Sequence, residues 1–224
     1  MVLFMSRKKL YGSLSLNIFT FVSVIVCIII LILRNPNTFR MFTTQSNVIS
    51  GIVALIIIIF EIMILLKKKE EIPNWLKTLK MITTTGVTLT FLVVSLYLGF
   101  VAISKGYNYF IVFRSTNICF HFLTPVAAIL SFILFENTDK IKFKYTFLNM
   151  IHMVCYAIFY TINVFTHLDS NGKVDRKYDW YYFVLGENWT FIFVAISILL
   201  VTYGIGFGIW FLNKKIYNKN LFKK

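Results

Sequence analysis

Six apolar runs alternate along the chain with short polar segments. The first is Leu14 to Leu33, almost entirely Ile, Val, Leu and Phe. The second starts near Thr43 and reaches Leu66, and the third covers Met81 to Ile103. The fourth is Asn117 to Phe135, the fifth Tyr145 to Phe165, and the sixth Trp189 to Leu212. At a rise of about 1.5 Å per residue, a helix of roughly twenty residues crosses a hydrocarbon layer. Backbone groups in lipid must pair within their own segment, so such runs are helices. The pattern predicts an all-α polytopic membrane protein, six transmembrane helices in a compact bundle, with residues 1–224 as one domain. Pro36, between Asn35 and Asn37, stops the first helix. Asn37 or Thr38 is placed to cap the second.

Composition agrees: 58% of residues are hydrophobic and 14% are charged. The net charge is +14, and its distribution says more than its size. Of the 23 Lys and Arg, 16 lie in the head, in residues 67–80, in residues 140–144 and in the tail. The other 7 fall in the intervening connections, so the positive-inside rule puts both termini in the cytosol. The basic segments then face anionic phospholipid headgroups. Nucleic acid is excluded as a partner by the absence of any binding motif. Short connections and the Lys, Ile, Asn and Phe bias point to a bacterial plasma membrane. Cys27, Cys119 and Cys155 form no CxxC, and no disulfide framework, metal site or cofactor follows from them. The first run is too long for a signal-peptide core and lacks a small-residue cleavage site, so it is read as a retained helix.

Chemistry enters through the polar exceptions. His121 lies four residues inside the fourth run, where a polar group must face protein or a wet cavity. The second run opens with FTTQSN, Phe42 to Asn47. Both runs start on the non-cytosolic side, so Thr43 or Thr44 stands at a depth comparable to His121 in a parallel helix. A histidine beside a hydroxyl acts as general base for a nucleophile. Gln45, Asn47, Asn117 or a tyrosine hydroxyl would donate to the oxyanion of an ester's tetrahedral intermediate. The plainer alternative is a histidine that hydrogen-bonds a neighbouring helix. His152 enters from the cytosolic side and is placed in the other half of the bilayer. Cys119 and His121 point about 200° apart and do not pair. Glu61 is read as a structural charge snorkelling towards Lys67 to Lys69. The threonine stripe Thr84 and Thr88 suits helix packing. Gly204 and Gly208 predict a smooth strip against a neighbouring helix, with Gly206 on the opposite side. Residues 179–183, DWYYF, read as an aromatic belt or a short re-entrant piece.

RMFTTQSNVIS followed by NICFHFLTPVAAILSFILFE resembles the family of androgen-induced and androgen-dependent TFPI-regulating membrane proteins and its small bacterial relatives. The resemblance implies multi-pass, threonine-dependent hydrolysis of fatty acid esters of hydroxy fatty acids. It sets Thr43 on the nucleophilic threonine, with Thr44 one residue away. It sets Asn117, His121 and Pro125 on a second segment, Asn-x-x-x-His followed by proline. The family's Tyr-Pro-Phe-Leu is answered by Tyr182, Phe183, Val184 and Leu185, without the proline. The implied substrate is a lipid or fatty-acyl ester. Beside this hydrolase stands a second class, a non-catalytic protein that binds or carries a lipid or small solute. The lack of repeats, broken helices and central charges argues against an ion-coupled carrier.

The topology is directly testable. Single cysteines, Lys173→Cys or Lys69→Cys in a cysteine-free background, should be labelled by an impermeant maleimide on intact cells at 173 and not at 69. The reverse pattern would invert the orientation.

Overall fold

The computed structural model describes residues 7–34, 36–136, 138, 141–181, 183 and 189–218. Among them the regular structure is helical. Five helices are long and apolar enough to cross a membrane: α1 Arg7–Arg34, α2 Phe42–Leu65, α3 Asn74–Ser104, α5 Phe143–Phe165 and α6, which spans Thr190–Asn218. A shorter apolar helix, α4 Cys119–Phe135, lies where the fourth run was read. It starts two residues after Asn117, which is exposed. The chain is an all-α, multi-pass membrane protein. Tyr182, Val184 and Leu185 fall outside the described residues, as do Asn35, Asn137, Asp139 and Lys140.

Helix α3 is the axis of the bundle and packs against α2, α4, α5 and α6. Half of its apolar window is buried within the protein, against 17% for α6. The far side of α6 therefore offers apolar surface to lipid, as do Ile18, Val22, Ile25, Ile29 and Ile32 of α1. Successive helices run in opposite directions. Gly86 of α3 lies against Ser46 of α2, Asn17 of α1 meets Ser131 of α4, and Asn47 of α2 reaches Phe120 of α4. The end where α1 starts and α6 finishes is the near end below. The starts of α2, α4 and α6 mark the far end.

The threonines of α3 are drawn into the bundle, Thr83 and Thr84 also lining a small cavity. Thr83, Thr85, Thr88 and Thr90 are buried, and each hydroxyl donates to a carbonyl three or four residues back in α3, at 2.7 to 3.1 Å. Such bonds hide the hydroxyl from lipid and leave the methyl to pack.

Two expectations are overturned. Glu61 does not snorkel: it is 0% exposed and accepts from Asn17 Nδ2 at 3.1 and 3.2 Å. Its helix face turns into the bundle with Ile57, Ile58 and Ala54, so the carboxyl is carried away from the interface. Gly204 and Gly208 have open space where a side chain would stand. Gly206 is the packed glycine, its missing Cβ position being filled by the Asn149 side chain of α5.

Gly206→Val should therefore cost about 1–3 kcal/mol through overpacking and lower the melting temperature in detergent. Gly208→Val should leave it unchanged. Equal losses at both positions would contradict this packing.

Candidate functional site

The two polar clusters meet through a backbone defect. Residues Cys119–Leu123 at the start of α4 form a π-turn, in which the Thr124 N–H bonds to the Cys119 carbonyl. In an α-helix that N–H would serve Phe120. The next donor along would be residue 125, which is proline and has no N–H. The Phe120 carbonyl is thus left without a helical partner, and lipid supplies none. Asn47 of α2 fills the vacancy, its Nδ2 donating to Phe120 O at 3.2 Å and to Thr43 O at 2.9 Å. One amide group ties the turn of Thr43 to the residue preceding His121. Asn47 is 0% exposed, and its Oδ1 has no partner among the described residues.

A second π-turn, Val94–Leu98 in α3, is handled the same way. The Gly99 N–H bonds to Val94 O, and the Ser95 carbonyl accepts instead from Tyr109 Oη at 2.9 Å. Phe91 of α3 and Phe122 of α4 pack together, with ring centroids 6.0 Å apart.

His121 is half-buried. Its ring lies against the backbone carbonyl of Thr90 in α3, and Nδ1 is buried without a partner among the described residues. Thr124 Oγ1, one turn on, is another such atom. Thr43 is half-buried, whereas Thr44 is only 3% exposed. Through Asn47, the Thr43 turn of α2 adjoins the Phe120 turn of α4. No hydrogen bond joins the Thr43 hydroxyl to the His121 imidazole. Gln45 turns away, donating to Phe39 O at 3.3 Å. Asn117 is exposed beyond the start of α4.

Helix α2 begins without a side-chain cap from Met41. Its first α-helical bond runs from Gln45 N–H to Met41 O at 3.1 Å. Phe42 N–H is met by Tyr181 Oη at 3.0 Å, a cap delivered by the connection before α6. The N–H groups of Thr43 and Thr44 belong to the first turn, which has no acceptors inside the helix. Burial holds the Tyr181 phenol above its ordinary pKa, and in this cap its oxygen is the acceptor.

Residues 179–183 were read as a belt or re-entrant piece, and their described members instead roof this turn. Trp180, Tyr181 and Phe183 pack on Phe42, Tyr156, Tyr160 and Val164. Arg40 lies over the Trp180 ring at 4.8 Å, Tyr156 Oη donates to Arg40 O at 2.9 Å, and Tyr160 Oη donates to Asp179. In the sequence, Tyr156 and Tyr160 pass for lipid-facing aromatics, and only their four-residue spacing hinted at one shared face.

His152 is not in the other half of the bundle. Its ring packs on Phe42 at 4.9 Å between centroids, and Nδ1 stands 2.9 Å from where a Gly86 side chain would begin. The reason is the opening of α5, Phe143–Met150, which is a 3₁₀ helix. A rise of about 2.0 Å per residue carries His152 farther along the bundle than an α-helix would. Both of its ring nitrogens are buried without partners among the described residues.

The wider of two described cavities, about 490 Å³, lies elsewhere, near the starts of α3 and α5 between Trp75, Ile82, Tyr145 and Leu148. Among the described residues no cluster of His, Cys, Asp and Glu could hold a metal ion. No protein-family model matches the chain, and no characterised protein or solved structure is detectably similar to it.

The Asn47 bridge gives a double-mutant test. Asn47→Ala should cost about 1–3 kcal/mol by orphaning the buried Phe120 carbonyl. In a Pro125→Ala background, where residue 125 regains its N–H, the same change should cost less than half as much. Equal costs in chemical denaturation would show that the bond does not answer the missing proline donor.

Proposed function

We propose that the chain is a membrane-embedded hydrolase of a lipid, fatty-acyl ester, with Thr43 as nucleophile and His121 as general base. The observation that carries this reading is the Asn47 bridge, which holds the Thr43 turn against the π-turn of His121. With six crossings and cytosolic termini, the far end lies at the outer leaflet of a bacterial plasma membrane. A lipid substrate then enters sideways, and anionic headgroups meet the basic near end.

Each residue has a part. In the proposed tautomer Nε2 carries the ring proton, and the unpartnered Nδ1 presents a lone pair. As Thr43 Oγ1 attacks the ester carbonyl, its proton passes to that nitrogen. The imidazolium then protonates the departing alkoxide, and water hydrolyses the acyl-threonine by the same route in reverse. The first-turn N–H groups of Thr43 and Thr44 would serve as donors for the oxyanion, at the positive end of α2. Thr43 is preferred to Thr44 because it is the more accessible of the two. Gln45 and Asn117 are left supporting roles at the rim.

Substrate closes the gap between hydroxyl and imidazole, as in enzymes whose catalytic hydrogen bonds tighten only when occupied. The alternative, a protein that binds or carries a lipid or small solute without hydrolysing it, uses the same residues as headgroup contacts.

Thr43→Ala and His121→Ala should each lower ester turnover by at least about 100-fold with melting behaviour unchanged. Thr43→Ser should keep part of the activity. A fluorophosphonate probe should label the wild type and miss Thr43→Ala. Full activity in both Thr43→Ala and Thr44→Ala would rule out a threonine nucleophile. A co-purifying lipid lost in His121→Ala, with no hydrolysis in the wild type, would establish the binding protein instead.

A further inference from the structure

At the near end, away from Thr43 and His121, three helices place charged groups where no solvent reaches, and α1 adds neutral ones. Glu61 of α2 is 0% exposed, Lys80 of α3 4%, and Glu136 at the end of α4 1%. Lys80 Nζ donates to Glu136 Oε1 at 2.6 Å and to Ser131 Oγ at 2.7 Å. Ser131 Oγ donates to Asn17 Oδ1 of α1 at 3.3 Å. Asn17 Nδ2 in turn reaches both Glu61 oxygens and Ser13 Oγ, at 3.1 to 3.2 Å. The network has a carboxyl at each end and one ammonium, which sits at Glu136. Glu61 is met by neutral groups. An ionised carboxylate so placed is strongly disfavoured unless a proton or a cation neutralises it.

A small cavity adjoins the middle of this network. Asn17 and Lys80 form part of its wall, with Thr20, Ser50, Thr83 and Thr84. It has room for a single water. Thr20 is 2% exposed, and its Oγ1 has no partner among the described residues. A water there would satisfy that hydroxyl and extend the network.

We propose that Glu61 is a proton-binding site, one proton per chain, with Lys80 shared between the two carboxylates. On emptying, the Glu61 O–H bond breaks and the proton passes to water as hydronium. Lys80 stays an ammonium throughout. The new carboxylate then competes with Glu136 for it, and Ser131 Oγ marks the path between them. Proton loss is thereby turned into a pull between the ends of α2 and α4. The charged groups facing the site are few. On α3, Lys77 lies one turn before Lys80 and pairs with Glu71 at 3.6 Å. On α1, Lys9 lies about two turns before Asn17 and is half-buried. Within α2, Glu61 is the sole ionisable side chain. The proposal stands independently of the threonine–histidine reading.

The test is infrared spectroscopy of the full chain in lipid nanodiscs at neutral pH, compared in H₂O and D₂O. A protonated-carboxyl stretch that shifts in D₂O is expected in the wild type. It should vanish in Glu61→Gln and persist in Glu136→Gln and in Asp179→Asn. Gln imitates the neutral acid, so Glu61→Gln should melt with the wild type. Absence of the stretch in the wild type, or its survival in Glu61→Gln, would overturn the proposal. So would a melting loss in Glu61→Gln of more than about 10 °C, since the ionised form would then be the native one.

Discussion

A backbone carbonyl inside a bilayer has no water to turn to. That constraint makes every crossing of this chain helical, and it also explains the two places where the α-helix gives way. At Phe120 and at Ser95 a π-turn diverts the N–H that should have served the carbonyl. In each case a side chain from another segment answers, Asn47 in one and Tyr109 in the other. The local departure is therefore also a long-range tie. Pro125 makes the first of these ties obligatory, because no change of helical register gives it an N–H. The candidate site is built on this tie.

The bundle keeps its polar groups at two levels. At the far end they are mostly neutral: threonine, asparagine, histidine and tyrosine, several with one hydrogen-bonding atom unsatisfied by protein. At the near end they are charged and nearly all satisfied, with Lys80, Glu136, Ser131, Asn17 and Glu61 in one chain of bonds. Breaking a buried ion pair is costlier than never having made one, so such a network fixes the mutual register of α1, α2, α3 and α4. Unsatisfied atoms, in contrast, mark places where a bound molecule has something to gain.

Much of this was legible in the sequence. The all-α, multi-pass class and the order of the helices follow from apolar runs, because hydrophobic burial is a property of whole segments; five of the six runs became helices long enough to cross, and the fourth a shorter apolar one. That α2 and α4 open at the same end followed from the order of the runs. Orientation about each helix axis was harder to read. Glu61 looked able to reach the interface because its distance from the helix end was visible and the face it occupies was not. Gly204 and Gly208 formed the tidier motif, yet Gly206 faces α5, because an evenly apolar helix gives no rotational signal. His152 was misplaced in depth, since nothing in Phe143 to Met150 announces a 3₁₀ rise. Tyr181 was invisible as a cap: its partner, the N–H of Phe42, lies 139 positions away.

That separation has a consequence for how the molecule comes into being. The chain is made and inserted from its amino terminus, so α2 reaches the membrane long before Tyr181 exists. Until then the first turn of α2 lacks its cap, and Arg40 lacks the ring it will lie on. The earlier helices are able to close the near end, since Asn17, Glu61, Lys80 and Glu136 are all made by then. The far end is sealed last, by a connection that emerges just ahead of the final helix. Birth order thus leaves the Thr43 side open to the surroundings longest, and the aromatic roof over it is the final piece of assembly.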